Sequence, residues 1–178
     1  MLTQELTAAD LRDERLIAEL DALGVRFLWR LVPVEVAGEP DPATLLASLA
    51  ASTEARVRLA IIPLLLHRPD FAAHVPEAVE ASPACARLYL MCYYTAARYL
   101  QSMHWSQLTR LDGARVLLPD LFSVELGLED VTEPDAGLAS LAQRHAALSG
   151  EAINWLGTYQ HAAERWLARL ERERAWAT

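Results

Sequence analysis

PACARLYLMCYYTAARYLQSMHW, residues 83–105, spells one helix that is apolar on nearly every side. At about 100° per residue, Arg87, Met91, Tyr94, Arg98, Gln101 and Trp105 share a single line. Leu88, Tyr89, Cys92, Tyr93, Ala96, Ala97, Tyr99, Leu100 and Met103 fill the rest of the circumference. A helix apolar almost all round sits in the middle of its domain. Two guanidiniums on such a helix must find acceptors, because a buried unpaired charge is prohibitively costly. The acceptors come from acidic residues elsewhere in the fold, from a carboxylate or phosphate ligand, or from an acidic partner or second subunit. Arg87, Tyr94, Arg98 and Gln101 are therefore the candidate binding residues.

The bulk composition frames that helix. A chain of 178 residues, 53% hydrophobic with 7 Gly, suits a single domain, 1–178, with a substantial core. Its 31 Ala and 31 Leu favour helix throughout. The expected architecture is an all-α compact bundle of six or seven helices. All 16 basic residues are arginine, and the absence of lysine excludes a phosphate-loop lysine and Schiff-base chemistry. The net charge of −8 is uneven. Residues 1–55 hold 4 Arg against 10 acids, 56–115 hold 7 Arg against 4, and 116–178 hold 5 Arg against 10. An acidic whole argues against sequence-independent binding to nucleic acid or anionic membrane.

Cys85 and Cys92 lie seven apart on the central helix. A rise of about 10 Å between them puts a disulfide out of reach, which suits a reduced, cytoplasmic protein. The start, MLTQELTAADLRDE, is acidic and lacks the apolar stretch of a signal peptide. The apolar runs Leu59–Leu66 and Leu88–Ala97 fall short of the roughly 18 residues a membrane span needs.

Outward from the central helix, capping signals divide the chain. Thr7 with Asp10 opens a first helix that Gly24 stops. Val25, Phe27, Trp29 and Leu31, then Val32, Val34 and Val36, alternate as a strand would, so at most one short strand is expected near 25–36. A lone strand needs a partner, and an extended strap across the helices is the favoured reading. Asp41-Pro42 opens a helix at 42–51, and Ser52 or Thr53 caps another that Pro63 kinks. A short helix follows near 70–80, and Asp112-Gly113 marks a turn. Residues 119–135 contain a short helix ended by Gly127 and an acidic loop with no basic residue. Thr132 and Pro134 start a helix that ends at Ser149-Gly150, and a final helix runs from about Glu151 to Ala175.

LASLAAST at 46–53 and PEAVEASP at 76–83 align at an offset of 30 residues. Each is a short helix, a small polar break and a second apolar helix. LLASLAASTEARVRLAIIPLL resembles a HEAT-type helical repeat, with Leu45, Leu49, Val57, Arg58, Ile61 and Leu65 at its apolar and Val-Arg positions. The resemblance spans residues 42–104 and implies HEAT-like hairpins presenting a protein-binding surface.

Tests for chemistry select no catalytic set. The histidines, His67, His74, His104, His145 and His161, show neither the Glu-x-x-His spacing of di-iron bundles nor a zinc-helix motif, so no metal or cofactor is expected. Arg68…His74 and Arg98…His104 are similar to the Arg-x4–6-His pair of all-α HEPN ribonucleases, although Pro69 and Tyr99 stand where that family commonly carries a polar residue. On the last helix, Ile153, Leu156, Ala163, Leu167 and Leu170 form a core line flanked by Trp155, Tyr159 and Trp166. Glu151, Asn154, Thr158, His161 and Arg165 form the polar line opposite. His145 and Arg144 sit where positive charge suits the end of the preceding helix. The reading is a non-enzymatic protein-interaction or regulatory module whose partner is another chain or a second copy. The alternative is a small helical enzyme or ligand-binding protein, with a HEPN-like ribonuclease as its named form.

Overall fold

Local signals place most helix ends where the sequence marks them. The structure is a computed structural model and describes residues 7–113 and 115–177. Helix α1 (Ala8–Ala22) opens on a capping box in which Thr7 and Asp10 bond each other's backbone N–H. Past its C-cap, Gly24 takes φ +86°, a value that favours glycine. Asp41 caps α2 (Pro42–Ala51) by accepting from the Thr44 N–H at 2.8 Å. The next helix is split into α3 (Ala55–Leu59) and α4 (Ile61–His67). The break is where the kink is expected: Pro63 has no N–H to give the Leu59 carbonyl four residues back, and α3 ends at Leu59. A 3-10 turn (Pro69–His74) leads to α5 (Val75–Ala81), α6 (Ala84–Met103), α7 (Trp105–Asp112), α8 (Pro134–Ser149) and α9 (Trp155–Trp176).

The all-α bundle holds, with more elements than expected. The described residues contain nine α-helical segments, or eight helices with α3–α4 counted once, against six or seven. The extra one arises at His104, where the central helix ends, so Trp105 opens α7 and leaves the α6 line. Residues 123–127 form consecutive turns, and 119–127 lack the short helix expected. No strand forms among the described residues; 25–36 is the strap, with Val25 and Phe27 buried and Trp29 and Leu31 exposed. The sequence assigns Ile153 to the core line of the last helix, yet α9 begins only at Trp155 and Ile153 is exposed.

Helix α6 is the hub, packed by α2, α4, α5, α8 and α9. One contiguous core cluster runs from Leu16 in α1 to Leu170 in α9. Residues 42–103 form α2 through α6, in which α2 packs on both α5 and α6. Helices α6 and α8 pack closely: a Cβ on Gly137 would lie 2.4 Å from the Tyr99 ring. Gly137→Ala is expected to cost about 1–3 kcal/mol by overpacking, read as a lower denaturant midpoint.

Candidate functional site

The four residues named from the sequence are all engaged by the chain itself. The Tyr94 hydroxyl donates to the Pro119 carbonyl at 2.8 Å. Gln101, fully buried, donates to the Val116 carbonyl at 3.0 Å and accepts from the Leu118 N–H at 2.8 Å. Arg98 lies 3.8 Å from Asp120. These three side chains fasten residues 116–120 along the C-terminal half of α6. Arg87 does not join them. It is exposed at the other end of the helix and donates to the carbonyls of Val79 and Ser82, closing the C-terminus of α5. The stripe is thus two environments, because residues 116–120 cover only its second half.

The polar line of α9 is also largely spent locally. Asn154 caps the helix through the Gly157 N–H, and Thr158 bonds the Asn154 carbonyl. Glu151 takes a hydrogen bond from the Tyr89 hydroxyl at 3.0 Å. Of the two Arg…His pairs, Arg68 is held by Asp70 and Glu39, and Arg98 faces Asp120. No group of three or more His, Cys, Asp or Glu is placed to hold a metal ion among the described residues.

His145 departs from its expected role as a cation at the helix end. It is fully buried and stacked on Trp155 with ring centres 3.6 Å apart. Its Nδ1 sits 2.5 Å from the Tyr159 hydroxyl, while Nε2 has no hydrogen-bond partner among the described residues. Burial, aided by the nearby Arg58 charge, pushes its pKa down to about 4. The imidazole is neutral at pH 7, because the desolvation cost of charging it far exceeds what a helix dipole returns.

A different place gathers arginines around a groove. Strap residues 26–33 and the outer face of α9 enclose a groove of about 690 Å³. It is lined by five arginines, Arg26, Arg30, Arg165, Arg169 and Arg172, against one carboxylate, Asp21. Helical geometry supplies three of the five: Arg165, Arg169 and Arg172 recur at steps of four and three on one face of α9. The strap supplies the rest, and Glu14 fixes the strap. That carboxylate, buried in α1, accepts the N–H groups of Leu31 at 2.8 Å and Val32 at 3.2 Å. Arg165 lies over the Phe27 ring at 4.5 Å and donates to the Phe27 carbonyl, tying strap to helix.

Two arginines of the groove are accounted for by acids: Arg30 pairs with Asp21 at 3.0 Å and Arg169 with Glu173 at 2.8 Å. Arg26 and Arg172 make no ion pair or side-chain hydrogen bond among the described residues. Beside them the Trp29 indole is 85% exposed. Burial raises the Asp21 carboxyl, an effect that the surrounding arginines only partly offset. Arg26 also borders a second hollow, whose His67 and Asp112 reach on into a third, mostly apolar one lined by Val116, Leu117 and Leu121. The His67 Nδ1 lies 2.6 Å from Asp112, and Arg115 bonds the same carboxylate. Burial raises the Asp112 carboxyl, but the bond to His67 and the Arg115 charge outweigh it and hold it below the usual range. The sequence reading missed this groove. Its signal was the Arg165-Arg169-Arg172 spacing, but the strap that completes the groove leaves no helical period to follow.

Two outcomes test this account. A His held near pKa 4 when folded, against about 6.5 unfolded, binds fewer protons folded than unfolded. Stability is therefore complete above pH 6.5 and falls as pH drops toward 4, by about 3 kcal/mol. Denaturant midpoints measured across that range should show this acid limb, and His145→Gln should flatten it. Glu14→Ala should expose the Leu31 and Val32 amides to rapid hydrogen exchange, with exchange in α6 much less affected. No helix of the described residues is long and apolar enough to cross a membrane. Comparison with known protein families, characterised proteins and solved structures finds no match to this chain.

Proposed function

We propose that the chain is a non-enzymatic protein-interaction module that docks an acidic segment of a partner protein in the groove between strap and α9. The observation that carries this reading is the concentration of five arginines around an exposed tryptophan in a chain of net charge −8. Arginine and tryptophan are both enriched at interface hot spots, where a planar fork grips carboxylates and an aromatic ring supplies rigid apolar area. Arg26 and Arg172, which make no ion pair or side-chain hydrogen bond among the described residues, are the charges a ligand satisfies. The reading needs no cofactor. The helices over 42–104, HEAT-like in sequence, act as the platform behind the strap. Both cysteines are free thiols, which fits a cytoplasmic setting.

A fluorescein-labelled peptide of alternating glutamate and leucine is the probe. It should bind at low salt, as read by fluorescence anisotropy, and release as salt rises. Arg26→Gln with Arg172→Gln should weaken binding by roughly three- to thirtyfold, two exposed pairs at about 0.3–1 kcal/mol each. Both side chains are exposed, so the melting temperature should not move. Equal affinity in the double variant, or no binding by the wild type, would overturn the reading.

A further inference from the structure

We infer that the occupant of the groove is the acidic 124–133 segment of a second copy of this chain. This rests on the groove being a docking site for an acidic segment, and it names the segment. Two surfaces of one molecule are complementary in charge. Glu125, Glu129, Asp130 and Glu133 are exposed, and none makes an ion pair among the described residues. Across the groove, Arg26 and Arg172 make no ion pair or side-chain hydrogen bond among the described residues, and Arg165 is held by a carbonyl and a ring. Val124, 74% exposed at the start of the acidic segment, offers an apolar contact for the exposed Trp29.

Turns and burial hold the start of the acidic segment, residues 122–128. Leu126 and Leu128 are buried beneath it, and Arg144 Nε donates to the Leu126 carbonyl at 3.1 Å. The Leu128 N–H closes a turn onto the Ser123 carbonyl at 2.7 Å, and Gly127 takes φ +67°. A backbone fixed in this way gives up little conformational entropy on docking. None of the residues lining the groove comes from 119–135 of the same chain, and the Arg144 bond ties that segment to α8. The carboxylates of Glu125, Glu129, Asp130 and Glu133 are therefore offered to another molecule. Groove and acidic segment are different surfaces, so the contact is heterologous and propagates unless its rotation closes.

Sedimentation velocity over a concentration series, at about 0.05 M and about 0.5 M salt, reads the outcome. The mean mass should exceed the monomer at low salt, grow with concentration and fall at high salt. Simple repulsion between acidic chains predicts the opposite salt dependence, and observing it would overturn the inference. Arg26→Glu with Arg172→Glu should be monomeric, as should Glu129→Arg with Asp130→Arg. An equimolar mixture of the two should associate again, because the reversed groove now fits the reversed segment. A wild type that stays monomeric at low salt, variants that associate like the wild type, or a mixture that stays monomeric each overturn it. The glutamate–leucine peptide separates the two readings. If the wild type is monomeric yet binds the peptide through Arg26 and Arg172, only the second-copy inference falls; if neither binds, both fall.

Discussion

A helix that is apolar on almost every side has to be surrounded, and covering α6 organises this fold. Helices α2, α4 and α5 pack against it, as do α8 and α9. What remains is the stripe carrying Tyr94, Arg98 and Gln101, and an irregular segment, 116–120, covers it. A segment without helical hydrogen bonds brings unsatisfied backbone groups into a buried place. Gln101 resolves this by bonding one carbonyl and one N–H of that segment, while Tyr94 takes a second carbonyl. The polar stripe is the template on which a loop is laid.

Arginine without lysine shapes much of the remaining structure. Helix C-termini leave carbonyls without partners, and a guanidinium with five donors in a planar fork suits them well. Arg58 bonds the Ser52 and Thr53 carbonyls after α2, Arg115 bonds Leu66 at the end of α4, and Arg87 bonds Val79 and Ser82 at the end of α5. Arg174 reaches Arg110 in the last turn of α7. Most arginines are thus consumed as caps or ion pairs. Arg12, Arg26 and Arg172 have neither use among the described residues, and of these Arg26 and Arg172 line the groove.

The contrast between Arg87 and Arg98 shows how far a helical wheel carries. Both lie on one line of one helix, so periodicity treats them alike. Only Arg98 meets an acid from the 119–135 segment, Asp120, while Arg87 turns to the carbonyls of α5. His145 carries the same lesson. A histidine near a helix end reads as a cation, yet stacking on Trp155 removes the water that would support its charge. Environment, not position along the helix, sets both outcomes.

By itself the sequence determined the class of fold and most of its punctuation. Helical periodicity, the Thr7–Asp10 box, the Asp41-Pro42 start, the Pro63 break and the Gly150 stop are local effects, fixed by a few neighbouring residues. It also made α6 the centre, because hydrophobicity around a whole circumference admits no other place. The tertiary structure alone decided which arginines are spent and which are left. The groove joins strap residues 26–33 to α9 residues 165–172, more than 130 positions apart, through the grip of Glu14 on the strap and of Arg165 on Phe27. Charges that meet across such a distance in the chain leave no period in it; folding brings them together.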